Sequence, residues 1–477
     1  NEYKSQLDET KNDVDGKDKC KLDGVKGETE CEKSVQKEIN AKAKEYDEQD
    51  KLIYLKKIHV GYYLVDNGKK ELLSYLTNKK VYEMNYDERA KLYVYLTFLF
   101  SFLITATFSI WLKWVALFLF IPIKNIVSKI FQYNLCKVKK TKILPKMDYQ
   151  NNIPDSARTM CIIPTMLKNS ADVDEMMSKM EEYYIANKSE NLFFTLLGDC
   201  TKSDTQETRE DKEIANEGIY LVNELNKKYG NKFFFVYRKR EWNASEKCFM
   251  GWERKRGLIN QFNDFLLGKE VNFQVNTCEE FIDAKLENTR ENFVKDNTRN
   301  DCENFNVDKA KRQRFLDVKY VITLDSDTTL TLDSAFRLIG TIDHILNRPV
   351  VNKIKNIVVD GHGIIQPRIG IDIESGNKSL FSRIFSGDIG TSIYANAISD
   401  FYQDNFDEGT FTGKGIYDLD VFDKVLRNSI PENKILSHDL IEGSYLRCGL
   451  ASDILLMDET PSNYISYKIR KERWSRG

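Results

Sequence analysis

The stretch that most limits what this chain can fold into is Leu92–Leu112. It is 21 residues long, carries no charge, and is rich in Phe, Leu, Ile and Tyr. As a helix rising about 1.5 Å per residue, it is long enough to cross a hydrocarbon core. Tyr93, Tyr95, Trp111 and Trp114 lie near its ends, where amphipathic rings favour the membrane interface. A buried core helix is the competing reading, and the length favours the span. Lys113 interrupts the run, and an apolar VALFLFIPI continues it, so a transmembrane helix is expected over 92–121 with no second full crossing. Ile123, Ile126, Val127, Ile130, Phe131 and Leu135 then recur at helical spacing, with Lys124 and Lys129 on the other face. This predicts an amphipathic interfacial helix and basic linker over 122–146. Lysines 124, 129, 137, 139, 140, 142 and 146 come without an acid among them, which puts this flank in the cytoplasm.

The preceding segments cannot make the core. Half of residues 1–50 are charged, so 1–52 reads as a disordered or solvated helical segment, and 53–91 as a juxtamembrane stretch. The net charge of −2 gives no nucleic-acid footprint. The nine cysteines form no CxxC pair and read as thiols in a reducing compartment; only Cys20 and Cys31 lie close enough to suggest a local bridge. The chain opens at Asn1 and stops at Gly477 within a motif, so it is expected to be a piece of a longer protein.

From residue 157 to 477 the character is α/β. Strands are expected at 159–164, 192–198, 232–237 and 318–324, and helices at 170–186, 211–228 and 252–267. Strands separated by helical patterns predict a Rossmann-like, mostly parallel sheet with helices on both faces. Such sheets take ligands at strand carboxyl ends. Residues 268–316 are polar and patternless, and read as an inserted loop.

The buried strand Val318–Leu324 runs into Asp325-Ser326-Asp327. Carboxylates at i and i+2 on a strand end point the same way. With a divalent cation between them they make a platform for a diphosphate; otherwise the triplet is an exposed turn. Asp199 closes another strand, as a ligand contact or a cap. Pro164 and Thr165 end the first strand, at the expected pocket floor. In GWERKRG (251–257) a charged run opens a helix, and Lys255 is the favoured diphosphate contact, against a merely solvated face. Ser437-His438-Asp439 precedes Glu442. Asp439 is the candidate general base and His438 a metal ligand or orienter, while helix capping would explain the same residues. FTGKGIYDLD (411–420) suits close backbone approach to a ligand but lacks P-loop spacing.

DxD, a downstream Asp before a helix and an Arg-Trp pair together resemble the processive inverting glycosyltransferases, such as cellulose and chitin synthases. GYYLVDNG (61–68), GWERKRG, LDSDTTL, GIIQPRI, LFSRIFSG, FTGKGIYDLD, IPENKILSHDLIEG and RWSRG, in that order, are similar to the glycosyltransferase region of cyclic β-1,2-glucan synthases. That resemblance implies a GT-A type domain on the cytoplasmic side of a multi-pass inner-membrane protein. It implies UDP-glucose as donor, a growing glucan chain as acceptor and a divalent metal, Mg2+ or Mn2+. Membrane lipid, further membrane helices and a phosphorylase-like domain of the parent chain are the other implied partners.

Carried onto this chain, the resemblance has Asp325, Asp327 and His438 holding the metal, and Asp439 acting as base. Pro164, Thr165, Asp199, Lys255, Asp325 and Arg473 would bind the donor. Gly413, Lys414, Gly415, Glu442 and Trp474 would line the acceptor side. Arg470 stands where cellulose synthases carry Gln. Other readings are a synthase of another β-glycan, an inactive membrane remnant, or an aspartate-nucleophile phosphatase using DxDxT. The phosphatase fold wants its DxD on the first catalytic strand, whereas at least three strand candidates precede it here.

Overall fold

The computed structural model describes residues 48–66, 68–81, 84–138, 141–150, 152–283, 314–385, 400–432, 434–435 and 437–476. The expectations for residues 1–47 and for most of the 268–316 insertion lie outside the described residues. Glu48–Ile58 is a helix in a unit of its own, and a second unit runs from His59 to Gly477.

In that second unit the apolar run is helix α1, Tyr86–Leu112. Its start is a capping box: Asn85 accepts from the Glu88 amide at 2.8 Å and Glu88 accepts from the Asn85 amide at 3.2 Å. The helix does not continue to 121. Lys113 takes a left-handed φ of 51°, a 3-10 segment Lys113–Leu119 follows, and helix α2 runs from Phe120 to Val138. The charge that interrupts the sequence pattern is the point where the helix breaks. Phe98 meets Phe120 (6.2 Å between ring centroids) while Phe100 meets Phe131 (5.6 Å). These contacts pack α2 back against α1. Tyr93 Oη and Ser128 Oγ, 2.6 Å apart, add a polar contact between them. The Tyr86–Cys136 stretch is long and apolar enough to cross a membrane, and its apolar side chains are mostly exposed.

The α/β expectation holds for the rest. Strands β1 (Thr159–Leu167), β2 (Leu192–Cys200) and β3 (Phe233–Arg238) are parallel and joined by helices α3 (Ser170–Ala186) and α4 (Arg209–Tyr229). These strands read as continuous apolar runs because helices cover both faces. Along β1, Cys161 and Ile163 join the core under α3 and α4. Met160 and Ile162 join the opposite core, under helix α5 (Arg254–Leu266). Between α4 and α5 lie β4 (Glu241–Asn243) and β5 (Cys248–Met250), a small antiparallel pair. Part of the expected loop is in fact ordered as β6, Phe273–Asn276, an antiparallel edge strand on β3. Four residues at a sheet edge are too few to leave a periodic signal.

After β6 the chain returns to the far side of β1 as β7, Tyr320–Thr323. Strand β8 (Thr328–Thr329), helix α6 (Ser334–Asp343) and the hairpin of β9 (Val350–Asn352) and β10 (Ile357–Asp360) follow. Then come β11 (Ile364–Ile371), helix α7 (Phe401–Phe406), β12 (Gly415–Asp418), helix α8 (Leu419–Leu426), helix α9 (Asp439–Tyr445), β13 (Gly449–Asp458) and helix α10 (Tyr464–Arg476). The main sheet has the order β6-β3-β2-β1-β7-β12-β11-β13-β8. It is parallel from β3 to β7 and mixed beyond. Because the connections move outward from β1 in both directions, the crevice at the β1 and β7 carboxyl ends is a topological switch point. The two strands pair only from Thr159 to Ile162, and the Leu324 amide makes a last bond to Ile162 O at 3.1 Å.

Candidate active site

Pro164 and Thr165 lie just past the point where β7 leaves β1. Pro164 has no N–H to contribute, and a position with one strand neighbour fewer tolerates it. The Thr165 hydroxyl bonds back to Ile163 O at 3.3 Å. Across the opening, β7 delivers Asp325. The triplet is not extended: the Thr328 amide bonds Asp325 O at 3.0 Å, closing a turn. The two carboxylates therefore find separate partners instead of sharing one strand face.

Asp325 sits between two ammonium groups. Lys255, in the first turn of α5, pairs with Oδ1, and Lys414 Nζ lies 3.4 Å from Oδ2. Burial alone would push this carboxyl up, but Lys255 and Lys414 outweigh it and hold it below the usual range. Lys414 is buried and pairs mainly with Asp458, the last residue of β13, whose other oxygen accepts from Thr328 Oγ1 at 2.7 Å. Asp327 pairs with Arg470 of α10 (Nη2–Oδ2 2.9 Å).

Lys255 also donates to Gly413 O at 3.1 Å, which ties the Asp325 side of the crevice to the loop before β12. Gly413 has a φ of 87°, and a Cβ there would sit 2.9 Å from Asp439 Oδ1, so only glycine leaves room for that carboxylate. Gly415 is glycine for another reason: a side chain would strike the Ile365 carbonyl of β11.

Asp439 opens α9. Burial pushes its carboxyl above the usual range, with Lys255 and His438 opposing the rise. Beside it, His438 Nδ1 lies 2.8 Å from Glu442 Oε1, out of line for a hydrogen bond. Burial lowers the proton affinity of this ring, and the Glu442 carboxylate more than offsets that, so the net displacement is upward. His438, Asp439 and Glu442 bring ligand atoms within 4.8 Å of one another. His438 is thus grouped with Asp439 and Glu442.

Asp199 is placed differently from Asp325. Arg238, at the end of β3, grips it with two bonds, Nε–Oδ1 at 2.6 Å and Nη2–Oδ2 at 2.8 Å, and the Cys200 amide adds a third at 2.8 Å. Arg238 is anchored in turn on Trp252 O and Arg254 O, at 2.7 and 2.8 Å, directly before Lys255.

Asp325 and Asp327 offer hard oxygen donors, and both already draw cations of this protein. That donor chemistry fits a hard divalent ion.

No family model matches the chain. It is 34% identical over 336 residues, or 69% of its length, to the cyclic beta-(1,2)-glucan synthase NdvB of Rhizobium meliloti (strain 1021). Over that stretch the chain is related to this cyclic β-1,2-glucan synthase. It covers 11% of the length of that relative. Arg238 and Asp458 are charged partners that the motif reading passes over, while Arg470, noted there only as standing in place of a Gln, proves to pair with Asp327. Asp458 had a usable signal, since DILLMD is an apolar strand closed by an acid, the pattern that singled out Asp199 and Asp325. The side chains of Arg473 and Trp474 lie outside the described residues.

Proposed function

We propose that this chain carries the GT-A type transferase of a membrane-bound cyclic β-1,2-glucan synthase. It moves glucose from UDP-glucose to the 2-hydroxyl of a growing β-1,2-glucan. The observation that carries this reading is the convergence of Asp325, Lys255, Gly413 and Asp439 at the switch-point crevice of the sheet.

UDP-glucose is α-linked, so a β product needs one in-line displacement. Asp439 accepts the proton of the acceptor hydroxyl as that oxygen bonds the anomeric carbon. The bond from that carbon to the phosphate oxygen breaks, and UDP leaves with the electron pair. Lys255 meets the diphosphate, and Pro164, Thr165 and Asp199 wall the donor side. Arg473 adds a phosphate contact. Gly413, Lys414, Gly415, Glu442 and Trp474 line the acceptor side. Asp325 and Asp327 would hold a divalent cation, which would supply charge neutralisation at the diphosphate, and His438 would serve as a further ligand or orient Asp439. The Leu92–Leu112 helix spans the inner membrane, with the lysine-rich flank on the cytoplasmic face beside the transferase.

The test is the product. Membranes carrying the parent protein are given radiolabelled UDP-glucose, and the polymer is digested with a β-1,2-specific glucanase. Digestible product supports the assignment. Polymer that resists digestion retains the glycosyltransferase and rejects the linkage.

A further inference from the structure

Among the described residues three cations pair with the Asp325 and Asp327 carboxylates, while Lys179 reaches the Ser326 carbonyl at 3.4 Å, and the three are not equivalent. Lys255 has a second anchor in Gly413 O, and Lys414 has a buried partner in Asp458. Arg470 differs. It reaches Asp327 from α10, a separate helix 143 residues away in sequence, and its other bond is to the Glu459 carbonyl at 3.2 Å. Its side chain is 19% exposed and that of Asp327 is 34% exposed, so the pair faces solvent in part. Glu459 is tied to the same turn, its amide bonding Asp327 O at 3.0 Å and its carboxylate pairing with Lys179 at 3.1 Å. The backbone around the pair is therefore held, and the guanidinium meets the Asp327 carboxylate through one bond.

We infer that Arg470 is a counter-ion switch for Asp327. It neutralises this carboxylate when no divalent cation is bound, is displaced when one arrives, and then turns to the negative charge of the diphosphate. The inference rests on the metal and diphosphate reading given above. Its physical basis is competition. A guanidinium and a divalent cation placed at the same carboxylate repel each other and compete for its charge, and an arginine released a few ångströms away favours a phosphate partner. Cation and nucleotide consequently bind with positive coupling, and Arg470 carries part of that coupling.

The test reads binding instead of turnover. Mn2+ binding to the purified, detergent-solubilised protein is followed by loss of the free-ion electron paramagnetic resonance signal, with and without UDP. Wild type, Arg470→Gln, Arg470→Lys and Asp325→Asn are compared, with folding checked by thermal melting. Arg470→Gln is expected to bind Mn2+ alone more tightly, by about 2- to 5-fold, the worth of a partly exposed ion pair. The same variant should lose part of the extra Mn2+ affinity that UDP confers, while Arg470→Lys, keeping the charge, falls between it and wild type. Equal or weaker Mn2+ affinity in Arg470→Gln, where wild type binds and Asp325→Asn does not, overturns the switch and leaves the site reading intact. Absence of Mn2+ binding in both wild type and Arg470→Gln overturns both.

Discussion

Asp199 and Asp325 both close a parallel strand, and both face a basic side chain, yet the structure uses them in opposite ways. Asp199 is held by the two-pronged grip of Arg238 and by a backbone amide, with little of it exposed. Asp325 is about one-third exposed and shared between two lysines that each have another acceptor. A two-pronged guanidinium on a buried carboxylate is a strut, whereas a partly exposed carboxylate held by single contacts can change partners. The comparison separates a carboxylate that shapes the crevice from one that can change partners within it.

The largest expected effect belongs to neither carboxylate but to the base they flank. Asp439→Asn should lower glucose transfer by about 10^2- to 10^4-fold while UDP binding persists, measured by incorporation assay and calorimetry. The next separates the two aspartates directly. Asp199→Asn leaves Arg238 charged, buried and half-partnered, so it should cost about 3–5 kcal/mol of stability in chemical unfolding. Asp325→Asn should cost about 1 kcal/mol or less, as expected of a partly exposed pair, while abolishing Mn2+ binding. Equal losses of stability from the two changes would erase the distinction.

A smaller effect is in pH. Because burial raises the Asp439 carboxyl, its base form appears only at higher pH than for an ordinary aspartate. The acid limb of the transfer rate should therefore lie above the usual carboxylate range, near about 4, and should vanish from the residual rate of Asp439→Asn. The smallest effect concerns Asp418, which caps α8 through the Val421 amide at 3.1 Å and is pushed up to about 6 by burial. A carboxyl raised on folding contributes stability below its unfolded value, and that stability is lost as pH rises through about 6. Asp418→Asn, which keeps a capping acceptor, should stabilise the protein at pH values above this and change little in acid, as thermal melts would show.

The first half of the sheet was readable because β1, β2 and β3 are apolar runs spaced by capped, amphipathic helices. The second half was not. Strand β11 contains Gly, Pro and Arg, its register on β13 shifts between Pro367 and Arg368, and β12 pairs with it antiparallel, outside the β-α-β pattern of the first half. At the site, Asp325, Lys255, Gly413 and Asp439 were legible as strand ends, a helix start and a glycine loop. What pairs with them was not. Arg470 to Asp327 is a contact across 143 residues and Lys414 to Asp458 one across 44, and no local spacing encodes either. The break at Lys113 was visible as a charge in an apolar run, but the packing of α2 against α1 rests on ring contacts that only three dimensions show.

The most direct measurement is glucose transfer by the parent protein and its Asp439→Asn variant at matched UDP affinity, with the anomeric configuration of the new bond read by NMR. The account predicts a β linkage from the wild type and a loss of transfer in the variant without loss of UDP binding. An α linkage, or transfer that survives Asp439→Asn, would contradict it.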